Sequence, residues 1–442
     1  MAVGLSEHLN YKKLIRFVAP CVAMMIVTSI YSIVDGFFVS NFAGKNAFAA
    51  VNLIMPVIMA LGAFGFMIGT GGSALVACVL GQGKIERASK IFSMLIQSIV
   101  IVGIVLSSIG FILMPQIVEL LGASEIIFGD CVIYGRILLI AITFYMLQNS
   151  FQSFLVTAER AKMGLAISVM TGIMNMILDF LFVYILHWGI AGAGVATAIA
   201  QMVGGVIPFI YFAKKNTSLL RFQWTKFDFS TIKKACANGS SEMLTNLSSS
   251  FVGILYNFQL MKFAAEDGVA AYGVVMYVAF IFMAFYFGYA IGIGPLVGYQ
   301  YGAGNHVELK NILRKSLVIT LISALAMTFF GEVFAKGISE MFVGYDAHLL
   351  EITVRGMRIY SISFLLCGFN IFGSAFFTGL NNGLVSAIIS VLRTLVIQVL
   401  SIILLPMIFG VDGIWYAIVV AESVTLLITG AFLIGNKKKY EY

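Results

Sequence analysis

The sequence predicts an all-α polytopic membrane protein: twelve transmembrane helices in two six-helix lobes related by a pseudo-two-fold axis along the membrane normal. Three observations carry this. First, 60% of the 442 residues are hydrophobic and only 11% are charged, where soluble chains average about 25%. The mean hydropathy is +1.00. Second, apolar runs of membrane-spanning length recur from end to end. Third, shifting the sequence by half its length, 221 residues, brings it into register with itself.

The spans fall in order. The first set lies at about 14–40, 48–78, 91–118, 130–156, 163–187 and 190–213. The second lies at about 235–261, 268–298, 309–335, 351–378, 383–409 and 412–434. Each exceeds or approaches the roughly 20 residues that cross a bilayer. No charged leader with a short apolar core and a small-residue cleavage site opens the chain, so the first span itself is expected to direct insertion.

Basic residues set the orientation. The side that holds the N-terminus carries Lys12, Lys13, Arg16, Lys84, Arg87, Lys90, Arg160 and Lys162. It also carries the basic stretch 214–234, then Lys310, Arg314, Lys315 and Lys437 to Lys439. That is twenty of the 27 basic residues. The opposite side has Lys45, Lys262 and Lys336. Both termini are therefore expected in the cytoplasm. The net charge of +7 follows from this bias and implies no nucleic-acid partner.

In the 221-residue register Lys12-Lys13 falls on Lys233-Lys234, Phe42-Ala43 on Phe263-Ala264 and Leu75-Val76 on Leu296-Val297. Gly81 and Gly83 fall on Gly302 and Gly304, Gly189 and Gly192 on Gly410 and Gly413. Asn149, Ser153 and Thr157 fall on Asn370, Ser374 and Thr378. Six spans per repeat give both halves the same topology, and such repeats are a transporter architecture with a binding site at their interface. The reading divides the chain into an N-lobe (1–213), a linker (214–234) and a C-lobe (235–442).

Ionisable residues at bilayer depth are costly, roughly 3 kcal/mol on insertion scales, so each points to function. Asp35 lies deep in span 1, with Tyr31 one turn earlier on the same face. Asn175 and Asp179 are four apart in span 5, and Thr197 lies in span 6. These groups supply oxygen, which hard monovalent cations prefer, and a close carboxylate pair can instead hold a proton. The repeat provides a control. Asp35 becomes Tyr256, Asn175 becomes Val396, Asp179 becomes Leu400 and Thr197 becomes Ile418. Packing gives no reason for that asymmetry, whereas a cation site in one lobe does.

Other polar residues are candidates for a substrate cavity: Tyr31, Gln148, Asn149, Gln152, Glu242, Asn257 and Arg393. Interhelical hydrogen bonding accounts for the amides equally well. Arg393 has snorkelling toward the cytoplasm as its alternative, and Glu242 near a span end has solvation. The 22 methionines and 38 phenylalanines suit adaptable contacts with apolar ligands, although most must pack helices or face lipid. Pro20 can kink span 1 and move Asp35 relative to Asp179, a candidate gate. The glycine-rich "GTGGSA" and "GIGP" sit inside spans, where close helix packing explains them. The five cysteines show no metal or disulfide spacing, and four scattered histidines offer no catalytic set, so an enzyme is not expected.

At these residues the sequence resembles the multidrug and toxic compound extrusion (MATE) family, in its DinF-like and MepA-like branch. The resemblance covers nearly the whole chain, including "YGAGN" after span 8. It implies cation binding by Asp35, Asn175, Asp179 and Thr197, with Tyr31 as their accompanying tyrosine and Pro20 as the bending proline of helix 1. It departs from the NorM-like branch, which also has acids on helices 7 and 10. Here span 10 has none and span 7 has only Glu242, so no second-lobe site of that kind is expected. Family resemblance implies a secondary antiporter at the cell membrane, acting as a monomer without a cofactor. It would export cationic, amphipathic compounds in exchange for Na⁺ or H⁺. The alternative in the same superfamily is a flippase for lipid-linked precursors, which twelve spans and sparse internal arginine disfavour.

Overall fold

The computed structural model describes residues 4–442. All its regular elements are helices. The first half contributes α1 (Tyr11–Ala43), α2 (Lys45–Gly81), α3 (Ile85–Leu120), α4 (Glu125–Thr157), α5 (Ala161–Ile185) and α6 (Gly189–Ala213). The second begins with a continuous stretch of 74 residues, Phe229–Gly302. It is two helices, α7 (229–264) and α8 (266–302), that reverse at Ala265, the one residue inside it with non-helical backbone angles. Tyr256 and Tyr272 stack 5.0 Å apart across the turn. In a straight helix their separation would be about 24 Å. α9 (His306–Val343), α10 (Ala347–Ser361 and Phe364–Gly379, bent by 44°), α11 (Gly383–Phe409) and α12 (Val411–Tyr440) complete the twelve.

The internal repeat is visible in the backbone. Left-handed residues recur 221 apart: Gly44 (φ 94°) and Ala265 (φ 50°), Gly83 (φ 76°) and Gly304 (φ 67°), Gly189 (φ 56°) and Gly410 (φ 59°). These are hairpin reversals, where a positive φ lets the chain double back and glycine carries no Cβ penalty. Ala265 keeps the turn and lacks the glycine. With φ 50° and ψ −143° it sits in a region costing of order 1–3 kcal/mol for other residues. Ala265→Gly is expected to raise the thermal midpoint in detergent. An unchanged or lower midpoint would show that the turn is not strained.

Helix α7 starts earlier than the apolar pattern suggests. The Asp228 side chain caps it by accepting from the Ser230 amide at 3.0 Å, so Lys233 and Lys234 lie in its opening turns. The preceding linker packs under the first half, where the Gln223 amide donates to Ser93 Oγ at 2.9 Å.

Each half has its own apolar core. A third cluster mixes the halves at the N-terminal face, combining Leu5, Leu9, Phe17 and Val156 with Tyr289, Ile293, Leu309 and Phe376. Above it the halves touch backbone to backbone through glycine. A Cβ on Gly239 of α7 would lie 1.9 Å from the Met67 carbonyl of α2. One on Gly302 of α8 would lie 1.9 Å from the Cys78 carbonyl. Gly288 of α8 approaches Val22 of α1 in the same way. Asn238 Nδ2 adds a hydrogen bond to the Gly71 carbonyl at 3.2 Å.

The segment before α1 straps this face. The Leu5 amide donates to Glu159 Oε1 at 2.7 Å, and its carbonyl accepts from Gln300 Nε2 at 2.7 Å. The Leu9 amide donates to Glu308 Oε1 at 3.0 Å, and Lys315 donates to the Leu9 carbonyl. Glu159 belongs to the first half; Gln300, Glu308 and Lys315 belong to the second. Toward the opposite face α1 exposes Ile30 and Phe37, and α7 exposes Phe251, Ile254 and Phe258. The two halves are in close contact at the N-terminal face, through the glycine seam, the mixed apolar cluster and the strap.

Candidate functional site

The first half gathers its polar groups where α1, α5 and α6 meet. The Tyr31 ring lies over Gly172 of α5, where a Cβ would come within 3.2 Å of it. That close approach sets Asp35, one turn on, beside α5. Asn175 and Asp179 point inward from α5 at 2% and 0% exposure. The Asp35 and Asp179 carboxyls lie within electrostatic reach of one another. Both are acceptors when ionised, so neither can donate unless a proton lies between them.

Local backbone helps to aim them. The π-helical segment Val39–Ala43 begins one turn after Asp35, and Phe180–Ile185 begins immediately after Asp179. A third, Leu392–Ile397, contains Arg393. Wide turns of this kind re-aim side chains and concentrate at functional sites. Pro20 is accommodated within the continuous helix Tyr11–Phe38. The departures from α-helical geometry in α1 come beyond Asp35, not at the proline.

The defining feature is what these groups lack. Asp35 Oδ1, both carboxylate oxygens of Asp179, Thr197 Oγ1, Gln201 Oε1 and the amide nitrogens of Asn149 and Asn175 are buried without a hydrogen-bond partner among the described residues. Neither aspartate has an ion-pair partner there. Buried polar groups are nearly always paired, and an unpaired one costs about 1–3 kcal/mol. Two facing carboxylates at membrane depth also repel. An oxygen-rich, uncompensated set of this kind is suited to a hard monovalent cation or a shared proton.

The remaining sequence candidates are dispersed. Gln148, Asn149 and Gln152 are buried within the first half, the Gln148 carboxamide against Gly204 of α6. Glu242 is half-buried on α7 and Asn257 is exposed near the outer end of that helix. Arg393 does not snorkel: it is 7% exposed and donates to Glu422 of α12, Nε to Oε1 at 2.8 Å. Three relevant residues escaped the sequence reading. Gln201 shares a helical face with Thr197 four residues earlier, a spacing that was available as a signal. Glu422 is an acid inside the twelfth apolar span, equally legible. Tyr134 is fully buried within electrostatic reach of both Asp35 and Asp179, and only the packing of α4 reveals it.

A twelve-helix bundle of two parallel repeats, with an acidic site buried in one of them, defines a multi-pass membrane transporter. The MatE family model matches residues 20–181 and 242–404, one stretch in each half. The chain belongs to the MatE family. It is 24% identical over 431 residues to the multidrug export protein MepA of Staphylococcus haemolyticus, covering 95% of this chain and 92% of that one. Among solved structures it matches an outward-facing multidrug resistance MATE transporter of the MOP superfamily, with TM-score 0.93, 23% identity and coverage of 100% and 99%. It matches a Pyrococcus furiosus MOP superfamily transporter, described as having a binding pocket of reversed polarity, with TM-score 0.92, 22% identity and the same coverage.

Proposed function

We propose that this protein is a secondary multidrug efflux antiporter, exporting cationic and amphipathic compounds in exchange for Na⁺ or H⁺. The observation that carries the reading is the uncompensated acidic set of Asp35, Asn175, Asp179 and Thr197. The names of the MatE relatives support multidrug export, and the same fold accommodates pockets of opposite polarity, so the acids of this chain are what favour cationic cargo. The proposal assigns the N-terminal face to the cytoplasm of the cell membrane, following the basic residues, and the lobes to 1–213 and 235–442 of a monomer.

In this reading, the close contact of the halves at the N-terminal face supports an outward-facing step of the cycle. From outside, a cation or proton enters between Asp35 and Asp179, neutralises their repulsion and displaces the cationic cargo. The lobes then rock about the cleft, the glycine seam at the cytoplasmic face parts, and the ion leaves inward as new cargo binds. Inward movement of one charge yields roughly 2.3 kcal/mol per 100 mV.

The test is efflux from vesicles containing the purified protein, driven by an Na⁺ gradient alone and then by a pH gradient alone. One of the two is expected to drive accumulation against the cargo gradient. Failure of both, with a dye such as ethidium and a folded protein, would refute antiport.

A further inference from the structure

The second half has its own buried charges, and the exchange cycle above does not use them. Arg393 is 7% and Glu422 1% exposed. Arg393 Nη2 and Nε donate to Glu422 Oε1 at 2.7 and 2.8 Å. Asn370 Nδ2 donates to Glu422 Oε2 at 2.7 Å and to its carbonyl at 3.0 Å. Thr429 Oγ1 donates to Asn370 Oδ1 at 2.9 Å. Tyr256 of α7 is 1% exposed, and its hydroxyl forms no well-aligned hydrogen bond among the described residues. It lies within electrostatic reach of Glu422.

The repeat register gives this cluster its meaning. Shifted by 221 residues, Tyr256 stands at Asp35, Asn370 at Asn149, Glu422 at Gln201 and Arg393 at Gly172. Of these four first-half positions, Asp35 belongs to the site, Gly172 lies under Tyr31, and Asn149 and Gln201 carry buried polar atoms without a hydrogen-bond partner among the described residues. Gly172 is the glycine under Tyr31, so the guanidinium issues from the wall of the equivalent pocket. In the first half two acids face each other without a base. In the second, Glu422 is paired directly with a base, Arg393, whose charge Glu242 also feels.

We propose that the second half contains a monovalent-cation site on the same framework, filled permanently by the Arg393 guanidinium as a tethered cation. Glu422 and Asn370 are the ligand residues, and Tyr256 closes the pocket. A buried carboxylate needs a counter-charge. A diffusible ion can be exchanged in each cycle, whereas a covalently attached one cannot. The second lobe is thereby silent, and ion exchange is confined to the first. That last consequence rests on the antiport reading; the site itself does not.

The experiment compares wild type with R393A, R393K and R393A/E422Q as purified full-length proteins. It reads ²²Na⁺ bound per chain, and the thermal midpoint against millimolar NaCl or guanidinium chloride. R393A is expected to bind one more Na⁺ than wild type, or to gain a midpoint increase of several degrees with guanidinium that wild type lacks. R393K is expected to behave as wild type. R393A/E422Q is expected to lose both gains, which separates Glu422 from Glu242, whose charge also reaches Arg393. The proposal is overturned if R393A gains neither response, if the gain survives E422Q, or if R393A fails to fold in every one of these salts. The readout is the difference from wild type, so a wild type that binds no Na⁺ bears on the coupling ion alone.

Discussion

Asp179→Asn is expected to abolish gradient-driven efflux while leaving the protein folded. Asparagine has nearly the shape of aspartate but carries no charge, so the site loses its attraction for a cation and its capacity to take a proton. An exchanger that moves one charge gains about 50-fold in accumulation per 100 mV, from roughly 2.3 kcal/mol. The variant should forfeit that factor in vesicles. Its thermal midpoint, measured without Na⁺ near neutral pH, should hold or rise, because one of two facing buried carboxylates no longer repels the other. Asp35→Asn should behave in the same way. Wild-type accumulation by Asp179→Asn would sink the site assignment, and a collapsed midpoint would show that the carboxylate is structural.

The second large effect concerns the seam between the halves. Gly239→Ala should drive the bundle away from the closed N-terminal face. Its Cβ would lie 1.9 Å from the Met67 carbonyl and 2.9 Å from the Gly71 amide nitrogen. Both neighbours are backbone, so neither can rotate aside. Overpacking of a tight contact costs typically 1–3 kcal/mol, which shifts a two-state equilibrium roughly 5- to 150-fold. Native thiols report the result. Cys78 and Cys236 are half-buried beside this seam, whereas Cys21, Cys131 and Cys367 are buried. A water-soluble maleimide applied from the N-terminal side should label Cys78 and Cys236 faster in Gly239→Ala than in wild type, and transport should fall. Unchanged labelling would mean that the glycine contact does not hold the closed state. Gly302→Ala, 1.9 Å from the Cys78 carbonyl, is an independent copy of the experiment on α8.

Much of the candidate site was legible because a membrane makes polar residues conspicuous. Asp35, Asn175, Asp179 and Thr197 stood out against apolar spans, and helical spacing put Asn175 and Asp179 on one face. Gln201 and Glu422 were visible by the same rule. Tyr134 was not, because a tyrosine in a span is ordinary until packing brings it beside two acids. Arg393 was ambiguous for a related reason: an arginine near a span end reads equally as snorkelling or paired, and its partner lies on a different helix.

The sequence by itself determined the spans, their order, the excess of basic residues on one side and the repeat. Those properties are local or periodic: hydropathy summed over a span, charge counted along loops, glycines recurring at fixed separation. Only the tertiary structure decided that Asp35 and Asp179 face each other without a base, that Arg393 neutralises Glu422, and that the halves meet at one face through glycine backbone. Each of these depends on groups separated by tens to hundreds of residues. The energy that matters there, of a charge with or without its counter-charge and of backbone at van der Waals contact, is set by distance in space and not by position in the chain.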